Sequence, residues 1–512
     1  MSEPVHADVH DLASFGYKQE LSRSLGSFSS FAAGFSYISI LTGMFQTSYL
    51  GFLFAGRAFI WAWPIVFVGQ MTVALQFAEL SAHYPLAGSV YQWSKKLAGE
   101  SWAWNTGWIY LCAQIVTVPA VALAWQVILP QISSKFQIVN CSAGPAADLT
   151  KNCGFQDPAF AKNAFILGAV LIALTTIVNL MGVRVISRIN NIGVLAELIG
   201  ATGLIILLAI HIDHGPSVLF KTDGTGAGHS WGWFGALLIG AIMPLYVMYG
   251  FDTAGSLAEE TEDPRRTAPT AVWRALLTAG VMGFLLIGIG TMAVNKDATA
   301  GGLATITKDV LGNTWGKVWL WDVIVAIFVC CLAIQAMSIR ILFAMARDDN
   351  LPFARSLASV SARHRVPVVP ALTSGTIALI ILAFNILNPS AFTIIVSLGI
   401  ILMYLAYLGV TIPLLRKRMA GWPGNLADAR EGLFALGKYA VILNVIAIGY
   451  GAAMALNLEW PRKDLYIDDT YKWGPILATI ILVGFGLIYY YAIQQHKGEV
   501  LEEHRAEAAA GD

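Results

Sequence analysis

Long apolar segments separated by short polar ones extend along nearly the whole chain. Segments such as 371–384 and 477–489 have no polar face, which a helix on the surface of a soluble protein would need. About 20 apolar residues suffice for a helix to cross the hydrocarbon core of a bilayer, so the pattern predicts about twelve transmembrane helices. The predicted spans, numbered in chain order, are 27–50, 58–80, 101–130, 161–182, 191–212, 232–258, 270–294, 317–346, 368–388, 391–414, 437–457 and 473–493.

The composition also favours a membrane protein. Of the 512 residues, 56% are hydrophobic and only 12% are charged, whereas soluble proteins contain roughly 25% charged residues. The formal net charge is zero, so no excess of basic residues indicates a nucleic acid as partner. We therefore expect the partners to be the lipid bilayer and a small solute.

The distribution of Lys and Arg predicts the orientation. If the N-terminus lies inside, basic residues are about twice as frequent in the inner connections as in the outer ones, as the positive-inside rule requires. The polar N-terminal segment lacks the basic and apolar regions of a signal peptide and is expected to remain as a tail. We predict a multi-pass protein of the plasma membrane with both termini in the cytoplasm.

The cysteines leave one question open. Cys112, Cys330 and Cys331 fall inside apolar segments and are expected to pack as small hydrophobic residues. Cys141 and Cys153 share a polar loop, where a disulfide can form if the loop lies outside the cell. Free thiols are the alternative.

The first and sixth predicted spans are interrupted. Glycines and hydroxyl residues break the apolar run at 34–45 and again at 249–256, where Asp252 places a carboxylate at membrane depth. Interrupted helices five spans apart would face each other if two five-helix units were inverted in the membrane, and such pairs mark transporter binding sites. Ordinary packing of helices through small residues is the alternative.

Three segments resemble the amino acid–polyamine–organocation (APC) superfamily of permeases over about the first ten spans. They are the loop after span two (77–93), the charged segment after span six (259–269) and the end of span eight (338–352). Gln92-Trp93 and Phe251-Asp252 are most similar to the amino acid/choline transporter branch, which includes GABA permeases.

The resemblance implies an all-α fold of twelve transmembrane helices. Two inverted five-helix repeats with broken helices 1 and 6 would be followed by two additional helices. The implied organisation is an N-terminal tail (1–26), the first repeat (27–212), the second repeat (232–414), the two additional helices (437–493) and a C-terminal tail (494–512).

The resemblance also implies that substrate binds between spans one and six. The family's Gly-Ser-Gly turn corresponds here to Leu41-Thr42-Gly43, so its first glycine is missing. Backbone N–H groups at Thr42 and Gly43 would bind a substrate carboxylate at a helix N-terminus, and carbonyls near Gly250 would accept hydrogen bonds from an amine. Aromatic side chains of span six would close over the solute. The predicted substrate-binding residues are Ile40, Thr42, Gly43, Tyr246, Tyr249, Gly250, Phe251 and Asp252.

Two acids are candidates for ion coupling, because ionisable groups at membrane depth usually have a function. Asp252 could pair with the cationic end of a substrate, carry a proton, or simply hold the helix break together. Glu197 in span five stands where some relatives place a lysine. It could carry a proton, bind Na⁺ together with Ser338, or pair with a neighbouring helix. We expect H⁺ as the coupling ion and keep Na⁺ as the alternative.

The charged residues after span six have two interpretations. Glu259, Glu260, Arg265, Arg266 and Arg340 would form a cytoplasmic network that latches the inward gate, or they would be ordinary solvated loop charges.

These features predict a secondary active transporter and not an enzyme. It would import a small amino acid or a GABA-like amine by proton symport and alternating access. The alternatives are a choline, polyamine or other organocation carrier, and an amino acid exchanger. No paired catalytic residues, metal-ligand spacing or cofactor motif is evident in the sequence. The oligomeric state is left open.

Overall fold

The fold is described from a computed structural model. It covers residues 15–18, 23–141, 157–227, 229, 231–294, 301–361, 366–387, 391–424, 432–462, 465, 469–495, 497 and 500–505. Cys141 is buried, whereas Cys153 lies outside the described residues, so the pairing of these cysteines stays a prediction.

The described chain folds into α-helices joined by short turns. The helices are α1 (Ser27–Ile38), α2 (Ile40–Ala55), α3 (Ala62–His83), α4 (Ser89–Ala98), α5 (Glu100–Ala122), α6 (Ala124–Ile132), α7 (Pro158–Leu180), α8 (Val183–Ala209), α9 (Gly232–Gly240), α10 (Ile242–Val247), α11 (Thr253–Ser256), α12 (Pro264–Met292), α13 (Gly302–Arg347), α14 (Ala354–Leu357), α15 (Val368–Leu387), α16 (Ala391–Met419), α17 (Ala440–Glu459) and α18 (Gly474–Tyr489).

The all-helical, membrane-spanning fold is confirmed. Within the described part of the chain, 11 helical segments are long and apolar enough to cross a membrane. They coincide with all the predicted spans except the sixth. That span is present as three shorter helices: α9 and α10 are separated at Ala241, and α10 and α11 are separated by the interruption near Gly250. The inverted repeat and the division into units stay predictions.

Burial separates a packed centre from a periphery. The most apolar window of the α5–α6 segment is 89% buried inside the protein, whereas that of the last helix is 11% buried. The last two helices, α17 and α18, expose large apolar side chains such as Ile442, Ile481 and Phe485. In a membrane such side chains face lipid, so these helices pack around the outside of the bundle that contains the interrupted helices.

Close packing fixes the chain at Gly250. This residue has φ +87°, a left-handed conformation that favours glycine. A Cβ atom added there would lie only 1.8 Å from Cδ1 of the Tyr37 ring. The interruption of the sixth span is therefore built on a glycine that allows α1 to pass directly against it.

We predict that Gly250→Ala destabilises the protein. The left-handed backbone costs about 1–3 kcal/mol for a residue with a side chain, and overpacking against Tyr37 costs a further ~1–3 kcal/mol. Thermal unfolding of the purified protein in detergent, followed by tryptophan fluorescence, should show a lower Tm. Gly449→Ala is the matched control, because a Cβ there meets no atom within 4 Å. A Gly250→Ala protein as stable as this control would contradict the prediction.

Candidate functional site

The first interruption lies at Ser39, between α1 and α2. Ser39 has φ 29° and ψ 91°, outside the helical region, and its hydroxyl accepts a hydrogen bond from the N–H of Thr42. The same hydroxyl lies 2.6 Å from the Thr42 hydroxyl oxygen. The break thus creates a new helix N-terminus in the buried centre of the protein, where unpaired backbone N–H groups are costly.

Glu197 of α8 binds this new helix N-terminus. Its Oε1 accepts hydrogen bonds from the Leu41 N–H at 3.1 Å and from the Ser39 hydroxyl at 3.0 Å. The Glu197 side chain is buried. A carboxylate is favoured there because the N-terminal end of a helix carries a partial positive charge. The predicted residues Ile40, Thr42 and Gly43 are buried in the same first turn of α2.

The structure places the two interrupted helices in contact. A Cβ atom on Gly43 would lie 2.6 Å from Cγ2 of Val247 at the end of α10. On the other side of the first break, Tyr37 packs on Gly250 as described above. The segments predicted to share a binding site therefore face each other, as the sequence indicated.

Aromatic residues of the second break gather on one side. Tyr249 makes edge-to-face contacts with Tyr37 and with Tyr246, with ring centroids 6.0 and 6.1 Å apart. Tyr246 donates a hydrogen bond to Gln46 at 3.1 Å, and Tyr37 donates to Gln114 at 2.8 Å. These buried rings and amides form a mixed apolar and polar wall beside the first break.

Asp252 lies on a different side of the second break. Its carboxylate accepts hydrogen bonds from Ser89 at 3.1 Å, from Tyr407 at 2.6 Å and from Tyr110. Tyr407 also accepts a hydrogen bond from the N–H of Gly250 at 2.9 Å. In the described part of the chain no basic side chain forms an ion pair with Asp252. The acid is thus surrounded by hydroxyl donors from α4, α5 and α16.

Phe251 shares this side with Asp252. Its ring packs against Phe77 and Tyr407, with centroids 5.9 and 5.3 Å away. Among the predicted substrate-binding residues, the structure therefore brings Thr42, Gly43, Tyr246, Tyr249 and Gly250 toward the contact between the breaks, and directs Phe251 and Asp252 toward α3, α4, α5 and α16.

Ser338 does not share a hydrogen bond with Glu197. Its hydroxyl donates to the carbonyl of Gln335 at 2.9 Å and forms a hydrogen bond with Ser374 of α15. An acid of α13 that sequence reasoning missed is Asp322, which lies against Gly200, three residues after Glu197 on α8. Its signal was a carboxylate in the first turns of the apolar run at 317–346.

Buried ion pairs close one end of the bundle, which we call the arginine-rich end. Arg347 binds both carboxylate oxygens of Glu259 at 3.0 and 3.1 Å, and Arg340 binds Glu260 at 2.8 and 3.1 Å. Glu259 also accepts a hydrogen bond from the N–H of Ala87 at 2.9 Å. The predicted charge network is therefore present in part, with Arg347 as an additional member.

The N-terminal segment covers this end. The Tyr17 ring lies under the Arg347 guanidinium at 4.0 Å, and its hydroxyl donates to Asp348 at 3.1 Å. Burial, reinforced by the Asp348 carboxylate, raises the pKa of Tyr17 well above its usual value. Tyr17 therefore stays neutral and acts as a hydrogen-bond donor. Lys95 completes the cluster with a 2.8 Å ion pair to Asp348.

A cavity leads from the arginine-rich end toward the second break. It is small and is lined by residues of α1, α8, α11 and α13, including Ser29, Asn190, Thr253 and Arg340. Thr253 directly follows Asp252, so the cavity reaches the start of α11.

Sequence comparisons identify the relatives of this chain. Residues 25–487 match the family described as amino acid permease. The chain is 26% identical to amino-acid permease BAT1 of Arabidopsis thaliana, over 95% of this chain and 94% of that protein. It is also 26% identical to the BAT1 homolog of Oryza sativa subsp. japonica (92% and 90%), and 24% identical to amino-acid permease 2 of Neurospora crassa (95% and 87%).

These relatives are permeases and not enzymes, and they extend over nearly the whole chain. Together with the all-helical fold and its two interrupted helices in contact, the match shows that this chain belongs to the amino acid permease family.

Proposed function

We propose that the protein imports a small amino acid or an amino-acid-like amine of the GABA type together with a proton. The observation that carries this proposal is the hydrogen bonding of Glu197 to the N-terminus of α2, at the point where the two interrupted helices meet. We place the arginine-rich end on the cytoplasmic side of the membrane, as the positive-inside rule favours.

Coupling follows from competition between two carboxylates. A helix N-terminus stabilises one negative charge by about 0.3–1 kcal/mol, or up to ~2 kcal/mol when partly buried. Two carboxylates about 4 Å apart repel each other by roughly 4 kcal/mol at an effective dielectric constant near 20. The repulsion exceeds the stabilisation, so a substrate carboxylate binds beside the start of α2 only when Glu197 is protonated. Substrate and proton then bind together.

The amine end of the substrate has partners on the facing break. The Tyr37, Tyr246 and Tyr249 rings offer cation–π contacts to an ammonium group. The Gly250 carbonyl is a weaker candidate than the sequence suggested, because it already accepts hydrogen bonds from the N–H and the hydroxyl of Thr253 at 3.1 and 2.6 Å. In this proposal the substrate is held by its two ends between α2 and the α10–α11 break. Release to the cytoplasm then follows the cavity that reaches Thr253.

An organocation carrier is the competing proposal, and in it Asp252 would bind the cation. Three hydroxyl groups already donate to the Asp252 carboxylate. A cation would have to displace these donors, which supports an amino acid over a quaternary amine and supports a structural role for Asp252.

We predict that amino acids, and not quaternary amines, are transported. Purified protein in proteoliposomes with an inward proton gradient should accumulate radiolabelled GABA or a small α-amino acid. Unlabelled amino acids should compete, and choline should not. Competition by choline or polyamines without competition by amino acids would contradict the carboxylate site. Accumulation driven by Na⁺ and not by protons would contradict the coupling ion.

We predict that Glu197→Gln removes the pH dependence of substrate binding. In the wild type, raising the pH ionises Glu197 and weakens binding of a carboxylate substrate. Glutamine mimics the protonated acid, so binding should stay strong as the pH rises, while accumulation under a proton gradient is lost. Equilibrium binding at several pH values and uptake under an imposed proton gradient measure the two effects. Glu100→Gln, a change at an exposed acid, should leave both unchanged. A wild-type pH profile in Glu197→Gln would remove Glu197 from coupling.

We predict that Asp252→Asn slows transport by about tenfold or more. Hydrogen bonds to a charged acceptor contribute about 1.5–3 kcal/mol each. The neutral carboxamide of the variant accepts weaker hydrogen bonds than the carboxylate, so it would hold the second break less firmly. Initial uptake rates should fall while substrate selectivity and surface expression stay as in the wild type. Tyr407→Phe, which removes one of the same hydrogen bonds, should have a smaller effect in the same direction. Wild-type rates in Asp252→Asn would contradict this role, and a changed selectivity would favour direct substrate contact.

A further inference from the structure

The contact between α8 and α13 is an antiparallel seam built on glycines. Added Cβ atoms on Gly193 and Gly203 would lie 2.3 Å from Val329 and 2.7 Å from Trp319, respectively, and one on Gly200 would strike Asp322. Each step forward along α8 corresponds to an equal step back along α13. The two helices therefore lie in a fixed register over this stretch.

Gly200 allows the Asp322 carboxylate to lie directly on α8. A Cβ atom there would lie 1.8 Å from Oδ2 and 2.6 Å from Cγ of Asp322. Oδ2 is itself buried, and it has no hydrogen-bond partner among the described residues. A buried, unpaired carboxylate oxygen is costly, so its place against α8 is a feature that packing alone does not explain.

Asp322 and Glu197 lie along the same seam. Residues three apart on a helix share a face and are separated by about one turn, roughly 5–6 Å between Cβ atoms. Asp322 at the level of Gly200 is therefore one turn farther than Glu197 from the arginine-rich end. Trp315 and Trp321 beside it are exposed by 66% and 47%, as tryptophans at a membrane interface are.

Few other titratable groups face this pair. From α13, the Cys330 thiol donates a hydrogen bond to the Tyr37 carbonyl at 3.4 Å, beside the first break that Glu197 binds. From α1, hydroxyl groups and no charged side chains approach, and the apolar stretch of α12 at 276–292 carries no charge. By their positions along the chain, Lys317 on α13 and His211 just after α8 lie farther than Asp322 from Glu197. The two carboxylates are thus the acids of the seam.

We propose that Asp322 receives protons from the outer solution and passes them to Glu197. This inference depends on the proposed proton coupling and orientation. A proton from outer water binds the Asp322 carboxylate, then moves along the seam to the Glu197 carboxylate. Asp322 is left ionised for the next cycle, and protonated Glu197 leaves the start of α2 free of negative charge for the substrate. One helical turn is a distance that a bridging water spans.

The test measures proton entry and substrate exchange separately. Full-length protein is reconstituted in proteoliposomes that contain the pH dye pyranine, with the amino acid that competes best in the uptake panel as substrate. We expect Asp322→Asn to slow substrate-driven proton entry by about tenfold or more, because positioned proton-transfer groups contribute at least that much. Exchange of labelled substrate at equal pH on both sides should be retained.

Two further variants separate a proton role from a structural one. Asp309→Asn, a change at an exposed acid before the interruption of α13 at Gly312, should behave as wild type. Gly200→Ala keeps the carboxylate but displaces it from α8, and it should slow proton entry as Asp322→Asn does. Lowering the external pH should restore proton entry in Asp322→Asn and in Gly200→Ala, because protons then reach Glu197 without the relay. In a Glu197→Gln background, Asp322→Asn should have no added effect.

Three other outcomes would contradict the proposal, each for a different reason. If the wild type moves no protons with its substrate, the proposed coupling fails and this inference fails with it. If the wild type is coupled and Asp322→Asn matches Asp309→Asn in proton entry, only the relay is wrong. Loss of exchange together with proton entry, without rescue by external acid, would assign Asp322 a structural role and would also overturn the relay.

Discussion

The hydrogen bonds from Leu41 and Ser39 to Glu197 are the interaction on which the site depends. Inside a membrane protein every backbone N–H needs a partner, because lipid supplies none. Interrupting a helix at Ser39 exposes such groups, and the Glu197 carboxylate satisfies one of them. The break and the acid therefore require each other: without the acid the first turn of α2 lacks an acceptor, and without the break the acid would be buried without donors.

At the second break, a side chain of another helix binds the backbone N–H that the interruption leaves without a helical partner. The N–H of Gly250 donates a hydrogen bond to the Tyr407 hydroxyl, which in turn donates one to Asp252. Asp252 also accepts hydrogen bonds from the hydroxyls of Ser89 and Tyr110. Asp252 thus accepts hydrogen bonds from hydroxyl groups of three other helices, whereas among the described residues Glu197 accepts two hydrogen bonds, from Ser39 and from Leu41 of α2. Fewer bonds have to break for Glu197 to change its protonation and move. This difference is the physical ground for assigning coupling to Glu197 and a fixed structural role to Asp252.

The sequence predicted the spans and the interrupted helices well, because apolar length and embedded glycines act locally. It could not predict which groups surround the acids. The donors to Asp252 come from positions 142 to 163 residues away in the chain, and no local pattern reports such contacts. Ser338 faces Ser374 for the same reason: its direction depends on how α13 packs on α15. Asp322 could not be singled out from the sequence, because its position is defined by its contact with Gly200 on another helix, α8.

One short segment connects the proposed substrate site to the arginine-rich end. From Gly250, through α11, the chain reaches Glu259 and Glu260, which pair with Arg347 and Arg340 of α13. Both ion pairs are buried, and losing one partner of such a pair leaves an uncompensated charge that costs about 3–5 kcal/mol. If the backbone moves at the second break, there are two possibilities. Either both ion pairs are kept and α13 moves together with the break, or the pairs separate and water solvates the charges as the cavity opens. In the proposed cycle, opening to the cytoplasm takes the second course, because the cavity that reaches Thr253 already borders Arg340.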